Sequence, residues 1–376
     1  MKKRQRSVLI LQGGGALGAY QGGVYEALHR DDLALDWVIG TSIGAINGAV
    51  IAGNPPEHRV AKLRGLWDSF SSDMPDVPPA FLLWMPWLQA AAHSANIGST
   101  LTNGVNGFFV PRSGALWDTH QTRPVTESSF YDTAPLKATL ERFIDFDYLN
   151  SRSKNGSRTR LTMCAVNVAN AAIKLFDNHG STSITPEHVM ASGALPPGFP
   201  AIKIDDEYFW DGGIYSNTPL DVFLKDTCDE DALCFMVDVW DPTEALPTNI
   251  NEVMARTKSI QYASRSQEQL DAQTRIQSLH RAIQALGEQL PAGIKRRSDI
   301  AELLAQGHDR TVNVVHLILK AREGEDSFKD VDFARESIDG RWGKGHRDAV
   351  RALAHKSWLQ PLPPHAGLVI HELPQH

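Results

Sequence analysis

Several features are scarce or missing in these 376 residues, and each absence removes a class of protein. Only three cysteines are present, Cys164, Cys228 and Cys234. They form no C-x-x-C pair and no ligand-like spacing, which argues against a disulfide scaffold or thiolate metal site and for buried thiols in a reducing compartment. No apolar run reaches the roughly 20 residues of a membrane span. Basic charge is not in excess: 44 acidic against 37 basic side chains leave a net charge of −7, without the basic face that nucleic acid requires. Internal repeats and low-complexity tracts are absent. Fourteen histidines occur, none in a recognisable catalytic context. His179 and His188 lie nearest the chemistry proposed below and are read as surface or structural.

What is present is a chain long enough for a large core, as one α/β domain or one domain with an appendage. Ser7–Leu11 is a continuous apolar run, the mark of a parallel strand buried on both faces. Its basic lead, Lys2 to Arg6, mimics a signal peptide. The apolar part is only about five residues long before glycines interrupt it, so it is read as a first strand and the protein as cytoplasmic. A glycine loop, Gln12-Gly13-Gly14-Gly15-Ala16-Leu17-Gly18, leads into a helix from about Ala19 to His29. A second short strand, Trp37–Ile39, runs into Gly40-Thr41-Ser42-Ile43-Gly44 and a helix to about Ala52.

Gly40-x-Ser42-x-Gly44 has the form of a nucleophile elbow, a sharp strand-to-helix turn that lifts one serine out of a sheet. A side chain at either flanking glycine would collide where the strand doubles back. Ser42 then stands at a helix N-terminus, whose N–H groups and dipole favour negative charge. The glycine loop has two readings. Gly13-x-Gly15-x-x-Gly18 formally matches a dinucleotide fingerprint, but that motif expects an acid at the end of the second strand, and Asp36 precedes that strand. Alternatively, consecutive glycines leave N–H groups uncovered for an oxyanion, and ligands bind beyond the carboxyl ends of parallel strands.

Residues 54 to about 130 break the regular periodicity with Pro55, Pro56, Pro75, Pro78, Pro79 and Pro86. With Phe81, Leu82, Leu83, Trp67, Trp84 and Trp87 they read as an inserted cap or lid. A helix follows Pro135, a strand pair spans 161–176 around Ala169-Asn170, and a short helix begins at Pro186. A hairpin at 201–210 ends in Asp211-Gly212-Gly213. From Glu252 to about Leu290 good helix formers make one or two amphipathic helices. A strand is expected at 311–319, then a helical pattern over 333–355 broken around Gly340–Gly343, then a proline-rich tail.

The chain resembles the patatin-like phospholipases, a family of lipid acyl hydrolases. Gly13-Gly14-Gly15-Ala16-Leu17-Gly18 is similar to their oxyanion loop, Gly40-Thr41-Ser42-Ile43-Gly44 to their elbow, and Asp211-Gly212-Gly213 to their catalytic aspartate motif. The runs Ala191–Pro197 and Asn217-Thr218-Pro219 resemble blocks that flank that aspartate. Leu17 departs from the pattern, since many members carry Arg or Lys there. The resemblance implies a three-layer α/β/α sandwich with a central, mainly parallel sheet over residues 1–241, carrying the cap at 54–130. Residues 242–376 form a mostly helical extension.

It further implies a Ser42–Asp211 dyad without histidine, with an oxyanion hole of Gly13, Gly14, Gly15 and Ile43. Gly18, Gly40, Gly44, Gly212 and Gly213 support the motifs. No metal or cofactor is implied. The expected partner is a lipid or phospholipid ester met in the cytoplasm or peripherally at a membrane. A soluble carboxylesterase or polyester hydrolase with the same dyad, and a catalytically silent lipid-binding protein, are the alternative readings.

Overall fold

Residues alternate their sides along a strand, and here that alternation builds two cores. In β1 (Arg6–Leu11), Leu9 and Leu11 enter one cluster while Val8 and Ile10 enter another on the opposite face. A strand buried on both faces must be apolar throughout, which is why β1 reads as an unbroken run. The computed structural model describes residues 5–72, 97–113, 120–151, 156–226, 230–321, 328–360 and 366–373. Phe81–Leu83, Trp84, Trp87, Cys228 and Lys2–Arg4, all named above, lie outside them.

The strands, in chain order, are β1, β2 (Trp37–Thr41), β3 (Val110–Pro111), β4 (Tyr131–Asp132), β5 (Arg160–Asn167), β6 (Ile173–Asp177), β7 (Ile202–Ile204), β8 (Glu207–Asp211), β9 (Ala232–Asp238), β10 (Val312–Ile318) and β11 (Leu368–Glu372). All but the β3–β4 pair join one nine-stranded sheet in the order β11-β10-β9-β1-β2-β5-β8-β7, with β6 also paired to β5. From β11 to β5 every pairing is parallel, while β6, β7 and β8 add antiparallel pairings at one end. After β1 the chain moves to β2 on one side, and it returns later to lay β9 on the other. The order therefore reverses at β1, and the crevice beyond the carboxyl ends of β1, β2 and β9 is where an open parallel sheet binds ligands.

Helices cover both faces, as in a three-layer α/β/α sandwich. On one side lie α1 (Ala19–Arg30), α2 (Ile43–Ala52) and α3 (Pro56–Phe70), with α4 (Ala134–Phe143) and α5 (Pro186–Ser192) toward β5. On the other lie α6 (Leu220–Leu224) and Leu270 of the 40-residue α7 (Ile250–Gln289). The last long helix, α8 (Arg335–His355), packs along α1.

Three details differ from the sequence reading, and a fourth settles an alternative it left open. The start of the 54–130 segment is regular: α3 begins with Pro56, whose missing N–H falls where a helix has no partner for it. Of the one or two helices expected from Glu252 to about Leu290, the structure has one, uninterrupted from Ile250 to Gln289. The pattern over 333–355 does not break at Gly340–Gly343, because α8 is held against α1 too closely for side chains at the contact. A Cβ on Gly345 would lie 2.0 Å from the Tyr20 carbonyl oxygen, and one on Gly23 1.9 Å from that of Trp342. Finally, the C-terminal segment adds β11 as well as β10, a five-residue strand too short to show periodicity in the proline-rich tail.

Candidate active site

Three carboxyl strand ends deliver the site. Past β1, Gln12 is fully buried, and its Oε1 accepts from the N–H groups of Val239 (2.6 Å) and Trp240 (3.1 Å) beyond β9. The Gly13 carbonyl accepts from Asn217 Nδ2 (3.0 Å) and Trp240 Nε1 (2.9 Å), and the Gly13 N–H donates to the Asn217 carbonyl (3.3 Å). Gly13 is thus gripped on both sides. Gly14 and Gly15 follow at the start of the helical turn Gly15–Gly18, where the first N–H groups lack intrahelical partners.

Past β2, Ser42 adopts φ 58°, ψ −126°, a conformation that a residue with a side chain holds only under strain. The neighbouring glycines permit it. A Cβ on Gly40 would stand 2.3 Å from the Gly44 carbonyl oxygen, and one on Gly44 2.3 Å from that of Leu11. The Ser42 N–H is held by the Ser192 carbonyl (3.1 Å) and hydroxyl (3.2 Å), and that hydroxyl donates to the Cys164 carbonyl (2.7 Å). Ile43 opens α2, so its N–H is another helix-terminal donor.

Asp211 ends β8, opposite Ala165 of β5, and is 1 % exposed. The Ser42 side chain lines the same cavity as Asp211, near enough to the Asp211 carboxylate to lower the carboxyl's pKa. Asp211 Oδ1 accepts from the Gly213 N–H at 2.7 Å. Burial pushes the carboxyl up to about 7, and the nearby Ser42 hydroxyl and the Gly213 N–H limit the rise. A carboxyl near neutrality beside a strained serine is the electrostatic signature of a base poised for proton transfer.

These groups share a cavity of about 260 Å³. Gly13–Gly15, Ser42, Asp211, Gly213 and Asn217 form its polar side, while Ile43, Ile46, Leu101, Phe108, Phe109, Leu195, Phe199 and Phe333 line the rest. Trp240, Lys258, Tyr262 and Asp330 complete the wall. The structure thus brings Ser42, Asp211, the glycine loop and Ile43 together. Gly18, Gly40, Gly44 and Gly212 lie behind the cavity as spacers. A Cβ on Gly212 would be 2.5 Å from the Cys164 carbonyl oxygen, and one on Gly18 2.6 Å from Ile43 Cγ1.

No histidine lines the cavity among the described residues. His188 is buried in the cap of α5, where its Nδ1 accepts from the Thr185 N–H (3.0 Å), and burial lowers its pKa. Asp36 stands at the amino end of β2, away from the glycine loop, with its carboxylate taking the Ser7 N–H at 2.9 Å. It is at the wrong end of the strand to hold a ribose. Among the described residues no cluster of three His, Cys, Asp or Glu could hold a metal, and no helix is long and apolar enough to cross a membrane. Cys164 and Cys234 are buried and unpaired, and burial raises the Cys164 thiol to about 12.

Sequence reading assigned no role to Gln12, Ser192, Trp240, Lys258, Tyr262, Asp330 or Phe333. It noted Asn217-Thr218-Pro219 and Ala191–Pro197 only as flanking blocks. A polar Gln12 closing an apolar strand was the one local signal. The others reach the site from distant segments and carry none. Behind Asn217, the Thr218 hydroxyl donates to Asp238 Oδ1 (3.0 Å), and Asp238 Oδ2 meets His316 Nε2 of β10 (2.9 Å). Burial pulls His316 down, but Asp238 and Glu372 prevail and raise it to about 9.

Known proteins agree with this architecture at the level of family. Residues 260–365 match a family described as patatin phospholipase. No curated protein sequence matches the chain. Solved structures resemble it distantly. VipD from Legionella pneumophila is 12% identical with a TM-score of 0.40, covering 93% of this chain and 67% of its own. ExoU of the Pseudomonas aeruginosa type III secretion system, in complex with SpcU, is 16% identical with a TM-score of 0.29, covering 72% and 52%. Human GIVD cytosolic phospholipase A2 is 10% identical with a TM-score of 0.32, covering 62% and 43%. The chain therefore spans about half the length of ExoU and less than half of the human enzyme. Residues 9–224, more than half of the chain, match the patatin-like phospholipase profile, and the chain belongs to the patatin-like phospholipase family.

Proposed function

We propose that this lipid hydrolase is a serine esterase cleaving carboxylic esters of phospholipids through Ser42 and Asp211. The observation that carries the proposal is a strained Ser42 and a buried Asp211 carboxylate lining one cavity whose remaining lining is largely apolar and aromatic. Ser42 Oγ attacks the ester carbonyl carbon as Asp211 takes the hydroxyl proton. The carbonyl oxygen becomes an oxyanion, held by the N–H groups of Gly14, Gly15 and Ile43. Gly13 was grouped with these donors on sequence grounds. Its N–H is engaged by Asn217, so its part is to fix the loop.

Collapse of the tetrahedral adduct expels the alcohol, which takes the proton from Asp211 and leaves acyl-Ser42. Water then attacks the acyl carbonyl, giving one proton to Asp211, and the fatty acid leaves as Ser42 regains its proton. The aromatic wall takes the acyl chain, whose transfer out of water contributes roughly 0.8 kcal/mol per methylene. Loss of one oxyanion donor costs on the order of 10²–10³ in rate. A cytoplasmic protein that meets its substrate at a membrane surface fits this reading.

A long-chain fluorophosphonate, followed by intact mass and peptide mapping, tests it. One adduct at Ser42 is expected, absent in Ser42→Ala and strongly slowed in Asp211→Asn. Folded wild-type protein without an adduct, or Ser42→Ala that still hydrolyses lipid esters, would sink the proposal.

A further inference from the structure

A second polar centre borders the same cavity. Lys258, on α7, donates to both Asp330 carboxylate oxygens at 2.6 Å, and its ammonium lies 5.9 Å from the centroid of the Trp240 ring. Trp240 holds the Gly13 carbonyl, and Asp330 touches the glycine loop directly. Its carbonyl oxygen would be 2.3 Å, and its own Cβ 3.6 Å, from a Cβ on Gly15. The pair therefore stands beside the loop that faces Ser42, in the same cavity that Phe108, Phe109 and Phe199 line.

We infer that Lys258 is the subsite for the phosphate of an amphiphile whose chain occupies the aromatic wall, with Asp330 holding the ammonium in place when no phosphate is bound. The inference rests on the proposed lipid ester hydrolysis for its setting. Three observations carry it. An ammonium has three donors, Asp330 takes two, and the third has no hydrogen-bond partner among the described residues. The pair is only partly covered, with side chains 30% and 14% exposed, so an anion can approach. The cavity also combines an extensive apolar and aromatic lining with the Lys258–Asp330 pair, the two kinds of surface that a chain joined to a charged headgroup requires. Lys329, the other ammonium near Trp240, is 5% exposed beside Glu244, and among the described residues it is Lys258 that lines the cavity.

Binding of dodecyl phosphate and of uncharged dodecylglycerol, each below its micelle threshold and read by calorimetry, tests the subsite without requiring turnover. Wild-type protein should prefer dodecyl phosphate by about tenfold or more. Lys258→Met should erase that preference while dodecylglycerol binding persists. Asp330→Asn should increase it, because the internal competitor for the ammonium is gone. Inorganic phosphate should bind at least about tenfold more weakly than dodecyl phosphate. Equal binding of the two amphiphiles, a preference retained in Lys258→Met, or inorganic phosphate matching dodecyl phosphate would overturn the assignment. So would an equal loss in Asp330→Asn and Lys258→Met, the mark of a merely structural ion pair.

If Lys258→Met does not melt cooperatively, Lys258→Gln makes the same comparison. Fluorophosphonate labelling of Ser42 in the wild-type protein, set beside its binding preference, separates the two readings. Labelling with no phosphate preference overturns the subsite alone. Phosphate preference without labelling overturns the hydrolase mechanism alone.

Discussion

Asp211 shows how one residue ties stability to chemistry. Its carboxyl titrates near 7 in the folded protein, against about 4 for an exposed aspartate. Between those values the folded state holds a proton that the unfolded chain has released. Stability therefore falls as pH rises from about 4 to about 7 and levels off above. Asp211→Asn removes this penalty, so the variant should be the more stable protein at pH 8, by as much as a few kcal/mol. Its advantage should vanish toward pH 4. Urea titrations at the two pH values read this difference. Activity should run the opposite way: log(kcat/KM) climbs with unit slope and bends near pH 7 as the base ionises. A profile flat from pH 5 to 9 would remove Asp211 from the role of base.

Among the elements, the α1–α8 seam is the most exacting contact. Gly22 and Gly23 receive Trp342, a fully buried side chain, and Gly345 receives the Tyr20 backbone. Glycine inside a helix costs about 1 kcal/mol of propensity, and here the close approach of two helices offsets it. Gly23→Ala should cost about 1–3 kcal/mol or more through overpacking, read as a lower urea midpoint at unchanged slope. On the other side of α1, Gln21 donates to the Gln12 carbonyl (2.6 Å) and accepts from Asn47 (2.8 Å), which also holds Trp67 (3.0 Å). This buried polar network fixes the ends of β1 and α1 relative to α2 and α3. The glycine loop and the Ser42 elbow keep their spacing because the helices behind them cannot slide.

At the scale of the whole molecule, the C-terminal third completes both the sheet and the cavity. β10 pairs with β9 from Ala232 to Asp238, α8 covers α1, and Lys258, Tyr262 and Phe333 wall the pocket. A chain ending at Asp241 would leave the apolar edge strand β9 open, an aggregation hazard. It should lack a cooperative melt and run as an aggregate in size-exclusion chromatography. A monomer that melts cooperatively and labels at Ser42 would show that residues 1–241 form an independent unit.

Local chemistry made much of this legible before any coordinates. The unbroken apolar runs of β1 and β2, cut short by glycines, mark doubly buried parallel strands, and Gly40-Thr41-Ser42-Ile43-Gly44 can turn that sharply only with its glycines. The three motif blocks in order carried the family. These signals are local, because strand burial, turn sterics and helix starts depend on a residue and its near neighbours in the chain. Tertiary structure alone decided that Asn217 and Trp240 grip Gly13, that Ser192 holds the elbow, and that α8 runs unbroken through Gly340 and Gly343. It also decided that the cation beside the glycine loop is Lys258, Leu17 being buried in the core. Each of these depends on contacts between segments far apart in the chain, and the spacing within any one segment carries no trace of what another will bring.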